Sequence, residues 1–372
     1  MMRKKVALVF HSIDILFPPD GGVKGGANRV NLVLLQALIA NPDIELTLIS
    51  LAGGVKSVAG VDHHFFFEKS IYTHKAVVMG QIAAFLAENP QDSILFSDVI
   101  APFGSTLFHS HSFAHRQAIK PWWVKPFTVG ATIKRHRVQL KDIGDVSNRK
   151  FFTVSKAVKA DWSHHFGMDA NLVHVAYPGV EVSNETPKTD GQNQSDFPVF
   201  GMVNTSSLKK GGLLFIMALG LLKISGHRFS VKMIHPKIAK DPLTSVLITL
   251  LGLKSTIAVL PFQPDTSAFY KSIDAFVMPS LHEAFGLVVT EAMSHGVIPI
   301  VASNAGAAEL IEPEVTGFSF DIKHFPAWQL FKVLKQVLRL NEDRRMQLKL
   351  AAIDIAKQYS WKRFAETIIE QL

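Results

Sequence analysis

The chain runs twice through an alternation of short apolar stretches and amphipathic segments. In the first round, Val6–Phe10 and Glu45–Ser50 have the pattern of buried strands, and apolar residues at helical spacing predict a helix over Ala27–Ile39. The second round opens with a strand at Val199–Val203 and a helix from Gly212. Strands that alternate with helices form parallel sheets covered by helices, because a parallel crossover needs a connection of helix length. The pattern therefore predicts two doubly wound, Rossmann-like α/β domains.

A polar break separates the two rounds. Residues 183–198, SNETPKTDGQNQSDFP, carry almost no apolar side chains and have the composition of a linker. We expect an N-terminal domain over 1–182, a C-terminal domain over 199–355 and a last helix over 356–372 that packs back on the N-terminal domain. Folds of this kind bind ligands at the carboxyl ends of their strands, so the expected site is a cleft between the two domains.

Composition narrows the function classes. Hydrophobic residues make up 48% of the 372 residues and charged residues 19%, a balance typical of a folded globular protein. The absence of cysteine excludes disulfides and thiolate catalysis. The longest apolar run, Leu213–Leu222, is shorter than the roughly 20 residues of a spanning helix. The run Val6–Phe10 is also too short for an export signal, so we expect a cytoplasmic protein. The net charge of +8 favours anionic partners.

The segment 282–292, HEAFGLVVTEA, places two carboxylates eight positions apart around a glycine. It follows a predicted strand at Ala275–Met278, so Glu283 should lie in a loop and Glu291 in the next helix. The amides of Gly286 and Leu287 would then lie at the positive end of the helix dipole and suit a diphosphate. The alternative is a helix whose two glutamates are merely solvated.

This segment resembles the E-x7-E element of the family-4 retaining glycosyltransferases of the GT-B fold, the group 1 glycosyltransferases. The flanking residues 269–280, 292–302 and 306–311 are similar to the same family, and 152–155 with 178–180 resemble its domain-closing segments. The resemblance implies an acceptor-binding N-terminal domain and a nucleotide-sugar-binding C-terminal domain. It also implies that Glu291 binds the ribose hydroxyls and Glu283 the donor sugar, with Phe285, Gly286 and Leu287 at the donor.

A lysine pair, Lys209-Lys210, precedes Gly211-Gly212 and the first helix of the second domain. A lysine at a helix start behind a strand is a natural phosphate anchor. The family pattern has Lys-Gly here, which implies that Lys210 contacts the donor diphosphate with support from Lys209. The family often has Gly-Arg a few residues earlier, whereas this chain has Thr205 between Asn204 and Ser206, and we place Thr205 at the donor. The alternative is a solvated lysine pair.

The segment 21–29, GGVKGGANR, leads from the first strand into the first helix and contains four glycines and two basic residues, Lys24 and Arg29. In the resembled family this loop lies against the donor phosphates, which implies that Gly21, Gly22 and Arg29 contact the donor. The alternative is a flexible connection.

Histidines cluster at 109–115, HSHSFAH, after another predicted strand. Their spacing could bind a metal, but the resembled enzymes do not generally depend on one, and we expect none. We assign His111 to the reacting sugar and acceptor. The alternatives are a histidine bonded to backbone and, in another class, a metal-dependent hydrolase built on His109–His115.

Two lysines flank a pair of tryptophans over Lys120–Lys125, and further cations follow at Lys134–Arg137 and Arg149-Lys150. Cations beside tryptophans suit an inner-leaflet membrane surface or an anionic glycolipid acceptor. No nucleic-acid-binding motif is present, so we expect no nucleic-acid partner. A solvated basic helix face is the alternative.

Together these features predict a metal-independent, retaining hexosyltransferase. It would take a nucleotide diphosphate sugar such as a UDP-sugar as substrate, need no cofactor and serve a glycan or glycolipid acceptor in bacterial lipopolysaccharide or surface polysaccharide synthesis. Glu283, His111 and Lys210 are the predicted catalytic residues. The alternatives are a non-catalytic module that binds sugar nucleotides or glycans, the hydrolase, and an epimerase of the same fold.

Overall fold

The chain divides into two compact units in the computed structural model. The first comprises Met1–Pro178 with Trp361–Leu372, and the second Gly179–Ser360. The structure describes residues 2–17, 25–53, 55, 57–70, 73–97, 106–109, 150–166, 169–182, 197–203, 210–236, 238, 241–281 and 283–372.

Thirteen strands and ten helices make up the described part of the chain. The strands are β1 (Lys4–Ser12), β2 (Ile44–Leu51), β3 (His63–Phe67), β4 (Ser93–Ser97), β5 (Thr106–His109), β6 (Phe151–Thr153), β7 (Val173–Val175), β8 (Val199–Val203), β9 (Ser230–Ile234), β10 (Ile257–Leu260), β11 (Ala275–Met278), β12 (Ile298–Ala302) and β13 (Phe318–Phe320). The α-helices are α1 (Gly26–Ala40), α2 (Lys75–Glu88), α3 (Lys156–Phe166), α4 (Gly212–Ile224), α5 (Pro242–Leu250), α6 (Ser267–Tyr270), α7 (Leu287–Ser294), α8 (Pro326–Leu338), α9 (Glu342–Lys357) and α10 (Trp361–Ile369). Short 3-10 helices occur at Ile13–Ile15, Ala170–Leu172 and Gly306–Leu310.

The first unit is built on a parallel sheet of seven strands in the order β3-β2-β1-β4-β5-β6-β7. Its interior strand β1 buries Val6, Ala7, Leu8 and Val9 in succession, as expected of a parallel strand covered on both faces. Ser155 begins α3 as its cap, because its Oγ accepts the Val158 amide at 3.2 Å.

The second unit has a parallel sheet of six strands in the order β10-β9-β8-β11-β12-β13. One face buries the apolar sides of α4, α5 and α8, and the other buries those of α6, α7 and most of α9, whose Leu348 joins the first core. Successive residues of β11 show the division, since Ala275 and Val277 join the first core and Phe276 and Met278 the second. The predicted pair of doubly wound parallel sheets is confirmed.

The boundaries of the units differ from those that the sequence suggested. The division falls between Pro178 and Gly179 rather than after residue 182, because Val180 is buried in the second core and its amide donates to the Tyr359 carbonyl at 2.9 Å. The predicted helix over 356–372 begins instead at Trp361, since residues 356 and 357 belong to α9. Helix α10 groups with the first unit and packs on α1.

Six elements were not predicted, namely strands β3, β7 and β13 and helices α2, α8 and α9. Strand β3 begins with two histidines, and neither His63 nor His64 is an apolar residue that marks a buried strand. In the structure β3 pairs with β2 at the edge of the sheet, where partly exposed polar residues are accommodated.

A buried ion pair joins α9 to the start of β11 in the second unit. Lys349 Nζ lies 3.6 Å from Asp274 Oδ1, and both side chains are buried. The other carboxylate oxygen, Oδ2, accepts the Val199 amide at 2.9 Å. The pair therefore ties a helix of one layer to two neighbouring strands.

Replacing Lys349 with methionine should lower the free energy of unfolding of this unit by about 3–5 kcal/mol, because the Asp274 carboxylate would stay buried without its cation. The double variant Lys349→Met, Asp274→Asn should regain most of that loss, since neither partner is then charged. Chemical denaturation of the four proteins gives the coupling energy. A single-variant loss below about 1 kcal/mol, the scale of an exposed pair, would contradict the role assigned to this contact.

Candidate functional site

The second sheet reverses its strand order between β8 and β11, which are hydrogen-bonded neighbours. Connections leave neighbouring strands in opposite directions at such a switch point, and a crevice forms at their carboxyl ends. The chain after β8 leads to Lys210, and the chain after β11 leads to Glu283. The topology therefore places Lys210 and Glu283 together at the carboxyl ends of these two strands.

A glycine allows the two loops to touch. Gly211 has φ of +74°, and a Cβ on it would lie 1.9 Å from the Pro279 carbonyl oxygen. No other residue fits there, because both the left-handed backbone and the contact exclude a side chain. This approach fixes Lys210 beside the loop that carries Glu283.

Lys210 and Glu283 form an ion pair between these loops. Lys210 Nζ donates to Glu283 Oε2, and both side chains are partly buried. The Glu283 backbone is held as well, because its carbonyl accepts the Gly306 amide at 3.1 Å. The carboxylate thus stands on a loop fastened to the segment after β12.

Gly286 is the N-cap of α7, and its φ is +106°. This positive φ favours glycine, and a Cβ there would also lie 2.8 Å from Met278 Sδ. The Phe285 carbonyl accepts the Ala307 amide at 2.8 Å, and the Phe285 ring is buried. Amides of the first helical turn, such as that of Leu287, have no carbonyl partner within the helix and can bind an anion.

Glu291 lies in α7 and is positioned by a residue that the sequence did not single out. Tyr270 is 1% exposed, and its hydroxyl donates to Glu291 Oε2 at 2.9 Å. The Glu291 carbonyl accepts from Ser294 Oγ at 2.8 Å and lies 2.9 Å from His295 Nδ1. The spacing of 21 positions between Tyr270 and Glu291 carries no sequence signal, because the contact depends on how α6 packs against α7.

Another carboxylate, that of Asp265, lies near His295. The pKa of Asp265 lies below its ordinary value, chiefly because its carboxylate accepts the Ser267 backbone amide, with His295 and Lys271 adding favourable charge. Asp265 therefore stays ionised near His295.

The predicted site residues fall into three groups. The second unit brings several of them to the carboxyl end of its sheet: Lys210, Glu283, Phe285, Gly286, Leu287 and Glu291. Arg29 lies in α1 of the first unit, with its guanidinium 5.8 Å from the centre of the Trp361 ring. The remaining ones lie outside the described residues: Gly21, Gly22, His111, Thr205 and Lys209.

The histidine cluster can be followed only to β5, which ends at His109, because residues 110–149 lie outside the described part. Among the residues that the structure describes, no three histidine, cysteine, aspartate or glutamate side chains converge as metal ligands.

Comparison with known families identifies the second unit. Residues 184–353 match the family described as "Glycosyl transferases group 1". This part of the chain belongs to the group 1 glycosyl transferases. The match contains the Lys210 loop, the Glu283 loop and α7.

Curated relatives of this group 1 domain include a D-inositol 3-phosphate glycosyltransferase from Paenarthrobacter aurescens. It is 29% identical over 219 residues, which cover 55% of this chain and 52% of that protein. The chain thus spans about half the length of this relative, and 21–22% of the length of two glycogen synthases that it also matches.

Two solved structures share the fold of both units of the chain. WaaG, a glycosyltransferase involved in lipopolysaccharide biosynthesis, superposes with a TM-score of 0.73 at 17% identity and covers 98% of this chain and 99% of its own. HepE from Anabaena, in complex with UDP and glucose, has a TM-score of 0.70 at 18% identity, with 99% of each chain covered. Both support a GT-B fold.

Gly211→Ala should destabilise the group 1 domain by more than the strain of its backbone alone. Gly226 offers a matched control, because it has φ of +77° and nothing within 4 Å of an added Cβ. We expect Gly226→Ala to cost about 1–2 kcal/mol, and Gly211→Ala to cost at least about 1 kcal/mol more, because the Pro279 carbonyl must move. Equal losses in chemical denaturation would show that the two loops do not depend on this contact.

Proposed function

We propose that this chain is a retaining glycosyltransferase that moves a sugar from a nucleotide diphosphate sugar to a hydroxyl of a glycan or glycolipid. The observation that carries the proposal is the convergence of Lys210, Glu283 and the first turn of α7 at the switch point of the second sheet. This arrangement offers a cation and helix amides to a diphosphate and a carboxylate to sugar hydroxyls.

The reaction would rest on stabilising the leaving group. As the bond from the anomeric carbon to the diphosphate breaks, negative charge grows on the phosphate oxygens. Lys210 and the amides at the start of α7 would stabilise that charge with donors already in place. The acceptor hydroxyl would attack from the face that the diphosphate leaves, and its proton would pass to the departing phosphate. That course keeps the anomeric configuration.

Donor binding would break the ion pair between Lys210 and Glu283. A diphosphate competes with Glu283 for the Lys210 ammonium, because both are anionic partners of one cation. Once Lys210 turns to the phosphates, the Glu283 carboxylate is available to accept hydrogen bonds from the sugar hydroxyls. Donor binding would thereby replace one ion pair with two contacts to the substrate.

Glu291 would bind the ribose hydroxyls, as the family resemblance implies. A carboxylate that accepts from two neighbouring hydroxyls needs a defined orientation, and the buried Tyr270 hydroxyl supplies one by binding Oε2. Tyr270 therefore acts as a positioning residue for Glu291 and does not itself contact the donor.

The donor we propose is a UDP-sugar, and the acceptor a glycan or glycolipid of the bacterial cell surface. Support comes from neighbours of the same fold, one solved with UDP and glucose and one involved in lipopolysaccharide biosynthesis. We place the enzyme in the cytoplasm at the inner face of the membrane, with neither a metal nor another cofactor. The proposed catalytic set is Glu283, Lys210 and His111.

Thermal unfolding with UDP, GDP, ADP and CMP tests the donor site. A ligand at about 100 times its dissociation constant should raise stability by about 2.7 kcal/mol, and we expect UDP to do so with or without a chelator. Glu291→Ala should weaken UDP binding by about 10–100-fold, the scale of hydrogen bonds to a charged group. Tyr270→Phe should lose less, because the carboxylate remains.

Glu312→Ala provides the matched control, since Glu312 is an exposed glutamate of the same unit. Unchanged UDP affinity in Glu291→Ala would refute the assignment to the ribose. No stabilisation by any nucleotide would refute the donor site, and a response abolished by chelator would favour the metal-dependent alternative.

Glu283→Gln should separate nucleotide binding from transfer. It removes the anionic partner of Lys210, so UDP should bind as tightly as before or more tightly. Transfer should fall by about 10²-fold or more, because the sugar loses its carboxylate. Lys210→Met should weaken both UDP binding and transfer, and Lys254→Met, which removes an exposed lysine of the same unit, should change neither.

Calorimetry with UDP and a transfer assay with a UDP-sugar measure the two effects, and NMR of the product reports the anomeric configuration. Wild-type transfer rates in Glu283→Gln would contradict its role. Binding without any transfer by the native protein would instead favour the non-catalytic module.

A further inference from the structure

One layer of the second unit has an outer surface unlike that of an ordinary soluble domain. Helix α4 packs between α5 and α8, and all three cover the same face of the sheet. Large apolar side chains nevertheless point outward from each helix. The exposed members are Met217 and Ile224 on α4, Leu243, Val246 and Leu250 on α5, and Trp328 on α8.

These side chains are arranged as helix faces rather than scattered. Leu243, Val246 and Leu250 are spaced by three and four positions, so they line one side of α5. The exposed fraction is 63% for Leu243, 76% for Leu250 and 79% for Ile224. Isolated exposed leucines are common, but a set of this size on three adjoining helices indicates a surface that is covered in use.

The charges of the same helices all have one sign. The sequences of α4, α5 and α8 contain Lys223, Lys332 and Lys335 and neither aspartate nor glutamate. Helix α9, on the opposite face of the sheet, carries carboxylates among its cations, at Glu342, Asp343 and Asp354. The difference is therefore specific to one layer.

Three carboxylates in the loops that border these helices contact side chains of the same unit. Asp241 accepts from Thr244 Oγ1 at 3.0 Å and lies 3.2 Å from His235 Nε2, Asp321 lies 2.8 Å from His324 Nδ1, and Glu314 accepts from Gln336 Nε2 at 2.9 Å.

We propose that the outer surface of α4, α5 and α8, the lysine-only helix layer, lies on an anionic phospholipid bilayer. Aliphatic side chains enter the boundary of the acyl chains, while lysine ammonium groups reach the headgroups along their apolar stems. Trp328 has the amphipathic ring that favours this depth, and it packs on Phe331 at 4.9 Å between ring centres. None of the helices in the described part of the chain could span a bilayer, so contact is with the surface.

A lipid surface fits this layer better than a second copy of the chain. Two copies joined through the same surface would bring the lysines of these helices against each other with no carboxylate on the helices themselves to pair with them, and the net charge of +8 adds repulsion. An anionic bilayer supplies both an apolar phase and the opposite charge. The inference rests on the membrane location proposed above and names the surface that would make the contact, and its test is separate from the donor site because lipid binding requires neither donor nor acceptor.

Vesicle flotation of the full chain tests the proposal. The native protein should float with vesicles of mixed phosphatidylglycerol and phosphatidylcholine, float less with pure phosphatidylcholine, and dissociate as salt is raised. The double variant Ile224→Glu, Leu250→Glu should bind the mixed vesicles at least about tenfold more weakly, because it puts charge in the apolar phase and repels the headgroups.

Leu350→Glu is the matched control, since Leu350 is an exposed leucine of α9 on the opposite face. It should bind the vesicles as the native protein does. Thermal unfolding and UDP affinity of all variants should match the native values, which separates loss of lipid binding from misfolding and from failure of the donor site.

Equal losses in the double variant and in Leu350→Glu would overturn the proposal, as would native binding in the double variant. A native protein that binds neither kind of vesicle and sediments as a dimer, while the double variant is monomeric, would also overturn the proposal. That result would assign the layer to contact with a second copy of the chain.

Discussion

The second unit depends on a contact between two backbones that no side chain could enter. Gly211 lies against the Pro279 carbonyl, and this approach brings the loop after β8 to the loop after β11. The ion pair between Lys210 and Glu283 follows from it, because the two loops come from neighbouring strands at the point where strand order reverses. The chemistry proposed for the chain requires a cation and a carboxylate within reach of one substrate, and the strand order with this glycine provides both.

Two buried polar contacts then fix the orientation of Glu291 and the position of α9. Tyr270 is held among the rings of Phe269 and Phe276, and it presents its hydroxyl to Glu291. The ion pair of Lys349 with Asp274 fixes α9 to the start of β11 on the same side of the sheet. Unpaired charges at these depths would be costly. The face that supports the site is thus specified by polar contacts inside its apolar core.

The opposite face of the same sheet is covered by helices with apolar residues on both of their sides. Its helices α4, α5 and α8 pack apolar side chains against the strands, and they expose further apolar residues on their outer side. Burying both sides of a helix layer needs a second apolar phase. The contrast with α9, which mixes both charge signs, indicates that the two faces are under different constraints. One face organises the site, and the other is fitted to a surface outside the protein.

The sequence alone determined the class of fold, the loop positions of Lys210 and Glu283 and the helical position of Glu291, because apolar periodicity is local and each of these residues lies next to a recognisable strand or helix. It missed β3, whose histidines interrupt the apolar pattern, and it placed the start of the last helix five residues early. Only the tertiary structure decided that Tyr270 holds Glu291, that Lys349 pairs with Asp274, and that three adjoining helices expose apolar side chains on their outer sides. Those contacts join residues far apart in the chain, and their existence depends on strand order and helix packing that no local spacing encodes.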